Sequence, residues 1–180
     1  VHKHFLEEDF VEPVDPADFR AVMSHFATGV VVVTGRAVDG TPVGMTAQSF
    51  SALSLDPPLV MVCPARSSTS WPRIGEGHRF AVNVLAADQA ELSRHFARSA
   101  ADKFDGQAWT WGEYGCPLLD GAIAHIECDL EAVHPGGDHY IALGRVRKLA
   151  SRLAEPGAEP SPLLFFRSGY RSLTPSDAPR

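Results

Sequence analysis

Cysteine is scarce. The 180 residues hold three, Cys63, Cys116 and Cys128, far apart in the chain. An odd, sparse set is no disulfide framework and fits a reducing, cytoplasmic setting. Cys-x-x-Cys and His-Glu-x-x-His are both missing, and the eight histidines are scattered, so no metal-ligand spacing is present and no metal is expected. Charge of one sign is never concentrated. Lys and Arg total 16 against 22 Asp and Glu, a net of −6 without a basic block. Nucleic-acid binders normally carry a basic face, and anionic membranes select a polybasic patch, so neither partner is expected. No apolar run reaches the roughly 20 residues that span a bilayer. The N-terminal "VHKHFLEEDFVEPVDP" is acidic and lacks the apolar core of a signal peptide, so residues 1–14 read as a loosely held tail.

Catalytic signatures are equally sparse. Gly-x-Ser-x-Gly is absent, and so are Gly-x-Gly-x-x-Gly and Gly-x-x-x-x-Gly-Lys-Ser/Thr. Cys63 ends an apolar strand before Pro64, a position more typical of packing than of a nucleophile. Glu127 and Asp129 share a strand face, which the sequence reads as solvated rather than as an acid/base pair.

What remains is a β-rich pattern. In "VDPADFRAVMSHFATG", Asp15 can cap a helix and Pro16 suits its first position. Phe19, Val22, Met23 and Phe26 fall on one face, and Gly29 is expected to end the helix. Val30 to Thr34 is a β-branched run expected to be buried on both faces. Asp39-Gly40 signals a hairpin into a strand at Val43 to Ala47. "QSFSALSLDPPLVMVC" supplies two more strands around an Asp-Pro-Pro break. A short helix follows "PARSSTSWPRIGEG", then the strand "RFAVNVL", then a helix in "DQAELSRHFA" with an Asp-x-x-Glu capping pattern. "AIAHIECDLEAV" alternates with period two and pairs through "HPGGDH" with "YIALGRVRKL". The loop "AEPGAEPSP" leads to "LLFFR" and a turn at "SGY". About seven strands in sequence, with two or three short helices, predict a mainly β, antiparallel barrel in one domain over 15–173, followed by a tail over 174–180.

Three stretches bear on chemistry. "ARSSTSW" offers Arg66 and the hydroxyls of Ser67, Ser68, Thr69 and Ser70 before a helix. It reads either as an anion cradle or as a solvated loop with one capping serine. Small and hydroxyl residues, Thr46, Ala47, Ser49 and Ser51, crowd a strand that should be buried. That suits either a flat ligand lying against the backbone or a close-packed barrel. In "DKFDG", Lys103 is either a phosphate partner or a solvated lysine.

In order, "FATGVVVVT", "GMTAQSFSALSLDPPLVMVCPARSSTSWP", "FAVNVL", "DKFDG", "GCPLLDGAIAHIECDLEAVHPGGDHYIALGRV" and "PLLFFRSGY" resemble the short-chain flavin reductases, from about Phe19 to Tyr170. These are the reductase components of two-component flavin-dependent monooxygenases. The resemblance implies an FMN-binding split β-barrel with a Greek-key, antiparallel course. It implies an NAD(P)H:flavin oxidoreductase that reduces FMN or FAD, with NADH favoured as donor, and passes free reduced flavin to a monooxygenase. It implies a homodimer with flavin near the subunit interface. Carried over, Thr46, Ala47, Gln48, Ser49 and Ser51 would line the flavin. Cys63, Pro64, Ala65, Arg66, Ser67, Ser68 and Ser70 would hold its ribityl and phosphate portion, completed by Lys103 and Phe104. His139 would contact the nicotinamide nucleotide with Tyr170 close by, and Asp138 would shape the turn. No residue is then an obligatory acid or base, and His139 positions. Two other readings stay open: a flavin-binding redox module without turnover, and another split-barrel flavin-dependent oxidase.

Overall fold

The computed structural model describes residues 13–100, 102–151 and 161–173. Most of the expected N-terminal tail, most of the "AEPGAEPSP" loop and the C-terminal tail lie outside them.

Helix α1 (Pro16–Met23) starts as the sequence predicts, with Asp15 Oδ1 accepting from Ala17 N at 2.6 Å. It stops early. Ser24 caps it, and Gly29 joins Thr28 in the short strand β1 (Thr28–Gly29) instead of ending the helix. Then follow β2 (Val31–Arg36), β3 (Pro42–Ala47), β4 (Phe50–Leu55), β5 (Pro58–Val62), α2 (Trp71–Glu76), β6 (Arg79–Val84) and α3 (Ala90–Ala97). The remainder is β7 (Trp109–Trp111), β8 (Pro117–Leu119), β9 (Ala124–Gly136), β10 (His139–Ser151), β11 (Leu164–Phe166) and β12 (Gly169–Arg171).

Seven strands form one antiparallel sheet in the order β3-β2-β6-β9-β10-β5-β4. Its two edges, β3 and β4, are consecutive in the chain and separated only by Gln48 and Ser49. No ladder joins them, so the rolled sheet is open along this seam. Strand β2 sits inside the sheet and is buried on both faces from Val31 to Gly35, which explains its unbroken β-branched run. Phe80, Val33, Val62, Val82 and Cys128 fill one core. Val30, Val32, Leu85, Phe96, Leu119 and Leu163 fill a second, between the sheet and α3.

Two local expectations are corrected. Helix α3 begins after Gln89, not under the Asp-x-x-Glu pattern, and Gln89 makes no side-chain cap. Its Oε1 instead accepts from Ala86 N at 3.0 Å. The polar face of β9 is not solvated throughout. Glu127 is only 3% exposed, because the turn between β7 and β8 lies over it and Tyr114 N donates to its Oε2 at 2.9 Å. Asp129 is engaged by Arg79 and Arg147. These two carboxylates are structural ties.

No helix among the described residues is long and apolar enough to cross a membrane.

Candidate functional site

The seam opens a cavity of about 660 Å³, within the range of cofactor sites. One wall is the end of β3 and its corner, Met45 to Ser49. A second is the segment Cys63 to Ser70 after β5. A third is the end of α3, Phe96 to Ser99, and Phe165, Tyr170 and His139 complete the lining.

Thr46, Ala47, Gln48, Ser49, Cys63, Ala65, Ser67, Ser68, Ser70, Lys103, His139 and Tyr170 are thus brought together from five separate segments. Four expected residues lie elsewhere. Ser51 lines a neighbouring groove of about 810 Å³ that shares Gln48, Ser49 and Cys63. Phe104 is a core residue, edge-on to Phe96 at 5.0 Å and to Trp109 at 5.2 Å. It lines a smaller adjoining cavity of about 320 Å³. Pro64 is buried in the loop. The Arg66 guanidinium stacks over the Tyr140 ring, 4.9 Å from its centroid, rather than facing the cavity. Conversely, Met45, Phe96, Ala97, Arg98, Ser99 and Phe165 line the cavity without a role there expected from sequence. Thr69, which also lines it, was visible as one hydroxyl of the Ser-rich loop. Met45 belongs to β3, and the rest depend on where α3, its C-terminal continuation and β11 dock, which no local pattern encodes.

Many hydroxyls here are already used. Thr46 Oγ1 donates to Ser93 O at 2.6 Å, tying β3 to α3. Ser49 Oγ donates to Cys63 O at 3.0 Å and accepts from Cys63 N, closing the β3–β4 corner against β5. Ser68 Oγ accepts from Trp71 N at 3.1 Å, fixing the loop at the first residue of α2. Tyr170 is pinned by a 2.8 Å bond between its hydroxyl and Ser93 Oγ, with Arg94 over its ring. Such fixed groups make a preformed wall of backbone and small side chains, against which a planar ring can lie.

The turn that carries His139 is two residues long, Gly137 and Asp138, with Gly137 at φ +69°. Only glycine adopts that conformation without strain, so this glycine is required by the hairpin. The turn is zipped onto the Ser-rich loop by Arg66 N to Asp138 O and Tyr140 N to Pro64 O, both 2.9 Å. The His139 ring bonds through Nδ1 to Asp138 Oδ1 at 2.7 Å. That hydrogen bond from the His139 ring holds the Asp138 carboxyl below its usual range. Asp138 therefore shapes the turn and also orients the imidazole, leaving Nε2 free of protein partners among the described residues.

Lys103 is 6% exposed. Its ammonium donates to Gly44 O at 3.0 Å, Ser70 Oγ at 3.1 Å and Phe96 O at 3.1 Å. Burial lowers its pKa. Desolvation without a carboxylate partner is compensated here by three neutral acceptors, which lock β3, the Ser-rich loop and α3 together.

The three thiols differ. Cys116 and Cys128 are fully buried, and burial, aided by the nearby carboxylates of Glu127 and Asp129, pushes both up to about 12. Cys63 is partly exposed on the cavity wall. Thiolate character and access control alkylation. Native protein is therefore expected to release one equivalent of colour with a disulfide thiol reagent, from Cys63, and all three only in denaturant. Flavin should slow the first reaction. Rapid modification of more than one thiol in native protein would overturn this assignment.

The family described as "Flavin reductase like domain" matches residues 23–174. The reductase subunit HsaB of a flavin-dependent monooxygenase from Rhodococcus jostii (strain RHA1) is 46% identical over 164 residues, covering 91% of this chain and 81% of that protein. The crystal structure of nitrilotriacetate monooxygenase component B from Mycobacterium thermoresistibile superposes with a TM-score of 0.84 at 42% identity, covering 91% of this chain and 89% of that one. The NADH:FAD oxidoreductase SgcE6 of Streptomyces globisporus C-1027, solved with NAD and FAD fragments, gives 0.81 at 40% identity, over 93% of this chain and all of that one.

Proposed function

The chain belongs to the flavin reductase-like domain family, and from that premise we propose that it is an NADH-dependent flavin reductase supplying free reduced FMN or FAD to a partner monooxygenase. The observation that carries this reading is the seam cavity. It joins a wall of small residues at β3, a hydroxyl-rich loop and one oriented imidazole, with no nucleophile–base pair. Nicotinamide and flavin themselves supply the hydride chemistry. The protein's task is then to stack, orient and exclude water. Residues Thr46 to Ser49 support the flavin ring. Ser67 to Ser70 face its phosphorylated arm. His139, steadied by Asp138, positions the nicotinamide nucleotide over the ring, with Tyr170 fixed beside it. No proton need pass through any of these groups during hydride transfer.

The test is direct. Purified protein mixed with NADH and FMN, or NADH and FAD, should consume NADH only when flavin is present. Absence of turnover with either flavin and either NADH or NADPH would overturn the proposal. A protein that purifies yellow, with bound flavin that NADH cannot reduce, would instead be a flavin-binding module.

We place the protein in the cytoplasm, where three unpaired thiols persist, and as a homodimer. Helix α1 buries none of its residues in this chain. Phe19, Val22, Met23 and Phe26 are 57%, 69%, 49% and 69% exposed. Phe19, Met23 and Phe26, with Phe50 and Met61, flank the 810 Å³ groove beside the flavin cavity. A contiguous apolar face of this kind marks an interaction surface. A second copy seated there would close the groove at Gln48 and Ser49, next to the flavin. The double variant Phe19→Asp, Phe26→Asp should convert a dimer to a monomer by light scattering and lower flavin turnover. A wild-type monomer, or a variant that stays dimeric, would refute the assignment.

A further inference from the structure

We propose that Arg98 is the residue that reads the phosphate of the flavin, and so sets the preference for a phosphorylated flavin over riboflavin; this rests on the flavin reductase reading.

Among the residues lining the seam cavity there is no carboxylate, while Arg98, Lys103 and His139 contribute cationic or potentially cationic groups. The cavity therefore favours an anion. The three groups are not equivalent. Lys103 has three N–H donors, and each is taken by a protein oxygen, Gly44 O, Ser70 Oγ or Phe96 O. It adds field but has no hydrogen left to donate. His139 is tied through Nδ1 to Asp138 at the hairpin, and its one remaining nitrogen, Nε2, is the group the proposed function gives to the nicotinamide nucleotide. The other cations close to the cavity are also engaged: Arg66 lies on Tyr140, and Arg94 lies on Tyr170 and pairs with Glu91.

Arg98 differs from all of these. It is the C-cap of α3, with extended backbone (φ −74°, ψ 153°) that carries the chain out of the helix along the cavity rim. Its exposed guanidinium has no hydrogen bond or ion pair among the described residues. Its neighbours Ala97 and Ser99 line the same cavity, together with Ser67 and Thr69 of the Ser-rich loop. The hydroxyls of Ser67 and Thr69 also lack protein partners among the described residues. A planar guanidinium and two free hydroxyls around a carboxylate-free cavity match a phosphate monoester or the flavin-side phosphate of a dinucleotide. Lys103 then acts as the strut that positions Ser70 and the end of α3, not as the phosphate contact.

The test compares FMN with riboflavin, which lacks the phosphate, at saturating NADH. In Arg98→Ala the ratio of riboflavin KM to FMN KM should fall about tenfold from the wild-type value, and Arg98→Lys should restore part of it. Fluorescence titration of FMN and riboflavin without NADH should give the same change in the ratio of Kd values, and the wild-type FMN affinity should weaken with salt. A ratio within about twofold of wild type overturns the proposal. So does an unchanged ratio with a raised KM for NADH, which would place Arg98 on the nicotinamide nucleotide. If the wild-type protein reduces no flavin, the reductase reading fails, and the binding titration still decides the role of Arg98.

Discussion

Replacing His139 by alanine is expected to raise the KM for NADH by about tenfold or more, while the KM for flavin moves by less than about threefold. The asymmetry follows from how the residue is held. His139 stands on a two-residue turn, its Nδ1 tied to Asp138, and the turn is clipped by backbone bonds to the loop around Pro64 and Arg66. The ring thus lines the cavity from the hairpin, opposite in origin to the β3 wall proposed to support the flavin. Removing the imidazole would delete the proposed contact to the second nucleotide without disturbing those backbone bonds. Asp138→Asn should act more mildly. An amide oxygen still accepts from Nδ1, so the imidazole keeps its orientation and the KM for NADH should rise by less than in His139→Ala. Equal effects of His139→Ala on both substrates would mean that the side chain serves only the turn.

The β-ladder was legible because its signals are local. The valines of β2, the alternation along β9 and the Asp39-Gly40 and Gly137-Asp138 turns each report their own backbone. The cluster from Thr46 to Ser70 was legible because an unusual density of small and hydroxyl residues interrupts otherwise apolar strands. The remainder depends on docking. Period-two alternation says that Glu127 and Asp129 share a face, yet not that the turn at Tyr114 covers one of them. The tripeptide strands β7 and β8, Trp109–Trp111 and Pro117–Leu119, are too short to show a period. Lys103 reads as a solvated or phosphate-binding lysine because its three acceptors are Gly44 O, Ser70 Oγ and Phe96 O. Two of those are backbone oxygens, which carry no sequence identity. Arg98 was unremarkable in sequence for a related reason: its significance lies in lacking a partner, and that is a property of the assembled wall.

Phe96 joins the core to the site, and its loss is expected to be the most damaging single truncation. Its ring is fully buried beneath the cavity, edge-on to Phe104 at 5.0 Å and to His95 at 5.8 Å. It lies so close to β3 that a Cβ added at Gly44 would meet Phe96 Cε1 at 2.7 Å. The glycine is there to let the ring approach. Phe96→Ala removes that contact and leaves a cavity between α3 and the sheet, at a cost of about 3–5 kcal/mol. Domains of this size have roughly 5–15 kcal/mol in total, so the urea midpoint should fall steeply. Function should suffer separately from stability if α3 shifts to fill the void: the Phe96 carbonyl survives the substitution, but it is one of the three acceptors that hold Lys103, so moving the helix backbone moves Lys103 and with it Ser70. At a temperature where the variant remains folded, its affinity for FMN should still be weaker than wild type. Phe96→Leu fills much of the space and should lie between the two. A loss below about 1 kcal/mol for Phe96→Ala would show that α3 can settle onto Gly44 without the ring, and that the wall of the flavin site is not built on this contact.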